Sequence, residues 1–193
     1  MTLIEAIGMR QRILQEATRL FARSGYSAIS MREISAACGI TKAALYYHFT
    51  DKEDLIVAIL NDNLAEMSHL IDICRANHAS TRDRLTAFIQ AIFAEPVEKR
   101  AIIRLASQEM PNLSAQVRQD FGRIYHDQFI GPLAGLLEEG MQRGELRSAD
   151  SHQAVWVLLG MMYPFFYPGP EREGMDIDQA LTLILSIYFE GIS

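Results

Sequence analysis

Ser30-Met31-Arg32-Glu33-Ile34-Ser35-Ala36-Ala37-Cys38-Gly39-Ile40-Thr41-Lys42-Ala43-Ala44-Leu45-Tyr46-Tyr47-His48-Phe49 spells two short helices around a glycine turn. Ser30 is a good N-cap, and Glu33 three residues later completes a reciprocal capping box. Met31, Ile34 and Cys38 recur at helical spacing, while Ser35, Ala36 and Ala37 keep the surface small enough for close packing. Gly39 stands where a left-handed residue ends a helix, and Ile40 is the apolar contact that accompanies such an end. Thr41 caps the second helix, in which Leu45 and Phe49, four apart, face inward and Lys42, Ala43, Tyr46 and Tyr47 face outward. A turn of about three or four residues between two such helices is what a helix-turn-helix requires.

The outward face suits a nucleic-acid groove. In this motif the N-terminal end of the second helix enters the major groove and meets base edges. Lys42 can donate to guanine O6 and N7, Tyr46 can meet a base or a thymine methyl, and Ala43 permits close approach. Ser30, Arg32, Thr41, Tyr47 and His48 are placed for phosphate oxygens, which fix position without reading sequence. Lys52 opens the next helix, where a cation opposes the helix dipole; a phosphate opposite it would account for its presence.

The pattern Ile13-Leu14-Gln15-Glu16-Ala17, Leu20-Phe21, Gly25-Tyr26, Met31-Arg32-Glu33-Ile34, Gly39-Ile40-Thr41-Lys42 and Leu45-Tyr46-Tyr47-His48-Phe49, ending at Lys52 and Leu55, resembles the DNA-binding domain of the TetR-like bacterial regulators. It covers about the first quarter of the chain densely. Ser30 stands where that family usually has threonine and Cys38 where it usually has alanine; both keep size and role. The resemblance implies that Tyr26 touches a phosphate and that the protein acts as a dimer on a pseudo-palindromic, double-stranded DNA operator.

Charge is divided accordingly. The 193 residues carry a formal net charge of −6, yet residues 1–50 hold six Lys and Arg against three acids. A basic head finds phosphate, and an acidic body discourages binding elsewhere. Hydrophobic content of 49% and charged content of 22% are those of an ordinary globular protein. Cys38 and Cys74 lie on apolar stripes and read as small buried thiols of a reducing compartment. Met1 to Gly8 lacks the pattern of a signal peptide. Ala154–Met162 is too short to cross a membrane, so a soluble, cytoplasmic protein with no membrane partner is expected.

The fold class expected is all-α: a three-helix DNA-binding domain over residues 1–52, then a helical ligand-binding and dimerisation domain over 53–193, about nine helices in all. The first helix spans 9–24 and stops at Gly25. A long helix leaves the head from Asp51. Later helices start at Ser80 or Thr81, after Pro96, at Ser114 and at Asp150 or Ser151; Pro111 and Gly144 act as stops. The last runs from Ile177 to Ile192.

Ala154–Met162 is apolar all round, and the final helix has a wide apolar face, so both need cover on several sides. A second subunit is the natural cover, forming a four-helix interface from Val155, Leu158, Leu159, Met162, Leu181, Ile184, Leu185 and Tyr188. Two-fold symmetry would then set two recognition helices about 34–36 Å apart, in successive major grooves.

A small-molecule effector, its identity unread, is expected in the body. Phe88, Gln108, Phe121, Tyr125, Phe129, Trp156, Met162 and Phe166 are candidate pocket residues, with His69, His78 and His126 as further polar groups. The run Tyr163-Pro164-Phe165-Phe166-Tyr167-Pro168 either frees backbone groups beside several rings or gives the dimer helix a rigid end. No cofactor or metal is expected, and no catalytic motif is found: the histidines are scattered, and P-loop, dinucleotide, nucleophile-elbow and zincin patterns are missing. Two functions remain. One is a homodimeric repressor released from its operator by a ligand. The other is an architectural or co-regulatory DNA-binding protein controlled by a protein partner.

Overall fold

A computed structural model of the chain describes residues 3–166 and 176–192, which form helices joined by turns, with no strand among them. The helices are α1 (Leu3–Ser24), α2 (Met31–Ala37), α3 (Lys42–His48), α4 (Lys52–Asn77), α5 (Thr81–Ala94), α6 (Val97–Glu109), α7 (Ala115–Tyr125), α8 (Gly131–Gln142), α9 (Ser151–Met162) and α10 (Ile177–Ile192). A π turn over His126–Ile130 joins α7 to α8 without a break. Counted as one, they bring the described helices to the expected nine.

The described residues form two compact units. One holds Met1–Asn63 with Val97–Phe121, the other Leu64–Pro96 with Gly122–Ser193. In the first, α2 and α3 pack on α1 around Ile13, Phe21, Ile34, Leu45 and Phe49, all at most 2% exposed. Residues 97–121 group with the DNA-binding motif, so this unit is larger than a 52-residue head. Arg104 of α6 donates to the Ala22 carbonyl at 3.4 Å, satisfying an acceptor near the end of α1.

The local rules behind the motif hold atom by atom. Glu33 N–H donates to Ser30 Oγ at 3.3 Å, and Ser30 N–H donates back to Glu33 at 2.7 Å. Gly39 adopts φ +64°, and Ile40 N–H reaches back to the Ser35 carbonyl at 3.0 Å. A side chain there would meet no neighbour but would strain the backbone, hence glycine. Ala44 N–H donates to Thr41 Oγ1 at 3.1 Å, capping α3.

Two boundaries differ from expectation. Helix α1 starts at Leu3, because Gly8 lies inside it, where it weakens the helix without ending it. The π turn was not foreseen. Pro132 has no N–H, and in a regular helix its ring would press on the carbonyl four residues back. The chain widens just before it, and Gly131 N–H bonds to His126 O instead.

The second unit is closed by polar pins. Glu145 accepts from Thr81 N–H at 2.6 Å, and Arg143 donates to Thr81 Oγ1 at 2.9 Å. Arg84 reaches Glu139 at 2.8 Å. Tyr188 Oη donates to the Ala154 carbonyl at 3.1 Å, tying α10 to α9.

Candidate nucleic-acid interface

The turn before α2 and the start of α3 enclose a concave groove of about 460 Å³, lined by Ser27, Ala28, Ile29, Ser30, Met31, Arg32, Lys42, Tyr46, Asp51 and Lys52. Five of these are candidates from the sequence: Ser30, Arg32, Lys42, Tyr46 and Lys52. Ser27 and Ala28 were missed, since a two-residue stretch of small side chains carries no chemical signal of its own.

Helix α3 presents its outward side as expected. Lys42 and Ala43 are exposed, Tyr46 is 43% and Tyr47 75% exposed, and His48 is half-buried. Lys42 Nζ lies 5.4 Å from the Tyr46 ring centroid, one helical turn on, so cation and ring form one patch. Tyr47 stands edge-on to His48 at 5.2 Å.

The proposed phosphate donors differ in what they have left to give. Thr41 Oγ accepts from Ala44, which leaves its O–H free to donate. Arg32 is exposed on α2. Ser30 is otherwise engaged: its hydroxyl donates to Glu33 at 2.7 Å, and its N–H does the same. Its hydroxyl can donate to a phosphate only by letting go of the Glu33 carboxylate. Those bonds also hold the Glu33 carboxyl below its ordinary pKa, chiefly through the Ser30 hydroxyl.

Lys52 is largely spoken for as well. Its ammonium donates to the carbonyls of Tyr26 and Ile29, each at 2.9 Å, and sits 4.2 Å from the Tyr26 ring centroid. A cation at the start of α4 thus answers two backbone acceptors, with one N–H remaining. Tyr26 packs edge-on against Phe21 at 5.3 Å. Burial, then Glu53, Asp51 and Glu109, push its phenol above the usual range.

In the second unit, rings from the candidate pocket residues form a chain. Phe88 lies 6.1 Å from Phe129, Phe129 lies 5.3 Å from Tyr125, and Tyr125 lies 6.3 Å from Trp156. Phe93 stacks on Phe166 at 4.8 Å. Burial pushes the Tyr125 phenol up to about 12, with Tyr163 adding to the effect. Phe88, Phe129 and Met162 are buried, and Tyr125 and Phe166 half-buried. Three pocket candidates stand apart from the buried rings. Trp156 is 55% exposed on the outer side of α9, Gln108 is exposed on α6, and Phe121, though buried, belongs with Gln108 to the first unit. His69, His78 and His126 are exposed too. Tyr163–Phe166 forms a 3₁₀ turn, while Tyr167 and Pro168 lie outside the described residues.

The residues expected at the dimer face lie largely inside their own chain. Val155, Leu158, Met162, Leu181, Ile184, Leu185 and Tyr188 are buried within their own chain, and Leu159 is half-buried. The apolar side chains that α9 and α10 leave to solvent are Trp156, Val157, Leu183 and Ile187, each more than half exposed. Both stripes of each helix are apolar, and the bundle fills its own core with one of them.

Burial raises the thiol pKa of Cys38 and Cys74, the opposite of what a reactive cysteine needs. Among the described residues, no cluster of three His, Cys, Asp or Glu is placed to hold a metal, and no helix is long and apolar enough to cross a membrane.

Residues 13–59 match the family model of bacterial regulatory proteins of the tetR family, and residues 78–164 match the tetracyclin repressor-like C-terminal domain. Together these spans cover more than two thirds of the chain. The chain is 28% identical over 190 residues to the HTH-type transcriptional repressor KstR2 of Rhodococcus jostii (strain RHA1), covering 96% of this chain and 92% of the relative. The crystal structure of the regulator PfmR from Thermus thermophilus is 27% identical with a TM-score of 0.75, over 93% of this chain and 97% of that one. AibR, solved in complex with isovaleryl coenzyme A and operator DNA, is 25% identical with a TM-score of 0.72, over 94% and 98%.

Proposed function

Because the chain belongs to the tetR family of bacterial regulatory proteins, DNA-binding transcription factors and not enzymes, we propose how its own residues divide that work. It is a helix-turn-helix repressor acting as a homodimer in the cytoplasm. The observation that carries the assignment is the groove between the α1–α2 turn and α3, where Lys42 and Tyr46 form one exposed patch.

Lys42, Tyr46 and Ala43 read base edges. Arg32, Thr41, Tyr47, His48 and the remaining N–H of Lys52 take phosphates, joined by Tyr26 where its phenol reaches the backbone. Ser30 serves indirectly, by capping α2. The dimer closes over Trp156, Val157, Leu183 and Ile187, the large apolar side chains that α9 and α10 expose and that a two-fold partner would cover.

The effector belongs in the second unit, beside the rings Phe88, Phe129 and Tyr125. These aromatic side chains suit a molecule with a substantial apolar part. Release from DNA requires the effector to bind the DNA-incompetent arrangement more tightly, since equal affinity for both shifts nothing. The test is fluorescence anisotropy with duplexes tiled across the DNA flanking the reading frame, repeated with isovaleryl coenzyme A as the first probe and then a small-molecule panel. A tight, salt-sensitive duplex that some compound displaces is expected. No preference among duplexes would overturn the assignment.

A further inference from the structure

Lys52 and Glu53, adjacent at the start of α4, reach opposite ways. Lys52 grips the turn before α2 through the carbonyls of Tyr26 and Ile29. The Glu53 carboxylate accepts from the backbone N–H of Ser114 at 2.5 Å, across 61 positions of sequence. Ser114 opens α7: its carbonyl accepts from Arg118 N–H at 3.0 Å and its hydroxyl from Val117 N–H at 3.4 Å. The first N–H groups of a helix have no partner within it and carry partial positive charge, so a carboxylate delivered there is doubly favoured. This contact lies inside the first compact unit, and α7 continues past Phe121 into the second.

We propose that Glu53 is a positioning residue for DNA binding. It fastens the start of α4 to the start of α7, and so holds Lys52, the turn it grips and the base-reading helix in one register. It acts through Lys52 and ties the register of the reading face to the helix that leads into the other unit. The proposal rests on the DNA-binding assignment above.

Charge and position make opposite predictions, which gives a clean experiment. Removing an anion near a DNA-binding face should tighten binding if charge alone matters. Removing a positioning acceptor should weaken it. The full-length protein is measured by anisotropy on the tightest duplex found by tiling, at several salt concentrations. Glu53→Ala is expected to weaken binding about tenfold, the scale of a lost hydrogen bond to a charged group, with the salt slope unchanged. Glu53→Gln, which loses the charge but keeps an oxygen acceptor for Ser114, should bind at least as well as the parent. Hydrogen exchange on the free protein gives a second readout: faster exchange at Ser27–Met31 in Glu53→Ala and not in Glu53→Gln. Binding by Glu53→Ala equal to or tighter than the parent, or a loss that Glu53→Gln shares, would overturn the proposal. A parent protein that prefers no duplex would instead count against the DNA-binding assignment.

Discussion

The Lys52 ammonium lies over the Tyr26 ring, 4.2 Å from its centroid, while donating to the carbonyl of that same residue at 2.9 Å. A single cation thereby fixes both the ring and the backbone of the turn that leads into α2. Substituting Lys52→Ala should cost the first unit about 1.5 kcal/mol, the low end for a bond to a charged group because the site is half-open to water. It should also lower the slope of log affinity against log salt by about one. Thermal melts and salt titrations read the two effects separately. A stability loss with an unchanged slope would confine Lys52 to the clamp.

Lys42 has no such commitment to backbone carbonyls, only the Tyr46 ring one turn away. Lys42→Ala should therefore reduce discrimination among duplex variants by about 1–3 kcal/mol at the bases it meets, without unfolding α3. Competition binding across single-base variants measures this. An unaltered ranking of the variants removes Lys42 from direct readout.

The two stripes of α9 should respond in opposite ways. Leu158→Ala removes a side chain 2% exposed, so it should cost about 2–5 kcal/mol of stability by leaving a cavity. Trp156→Ala and Leu183→Glu act on the exposed stripe and should shift the protein toward monomer in sedimentation at micromolar concentration. Retention of a dimer by both would place the two-fold axis elsewhere.

Acid should loosen the second unit through Glu145. Its carboxyl is held below the usual carboxylate value of 4.5, first by the Thr81 backbone N–H and further by Arg143. A depressed folded-state pKa contributes stability above the unfolded value and loses it as pH falls through the folded one. Melting temperature should thus decline below the ordinary carboxylate range, and Glu145→Gln should flatten that decline while lowering stability at neutral pH. Parallel pH profiles for the two proteins would show that Glu145 contributes nothing.

The motif was legible because its determinants are local. Ser30, Glu33, Gly39 and Thr41 each act within four residues of themselves, so their spacing alone states the geometry. The caps at Ser80 and Asp150 follow the same rule. What the sequence hid is whatever depends on distant partners. Glu53 looks like an ordinary first-turn acid until Ser114, 61 residues on, arrives beside it. On α9, Val155 and Trp156 are both apolar, and only the packed bundle decides which turns inward. The π turn did carry a signal in Pro132, a proline set inside an otherwise uninterrupted helical pattern.

That widened turn acts as a phase corrector. Phe121, Tyr125, Phe129 and Leu133 are spaced by fours, and on a regular helix each such step over-rotates by about 40°. Left alone, the stripe would wind around the rod and carry Leu133, Leu136 and Leu137, all at most 1% exposed, out toward water. One extra residue in the turn before Pro132 takes up the drift and brings the later leucines back to the side where they are buried. At His126–Ile130 the length itself is information, and deleting a single residue there would re-aim everything downstream.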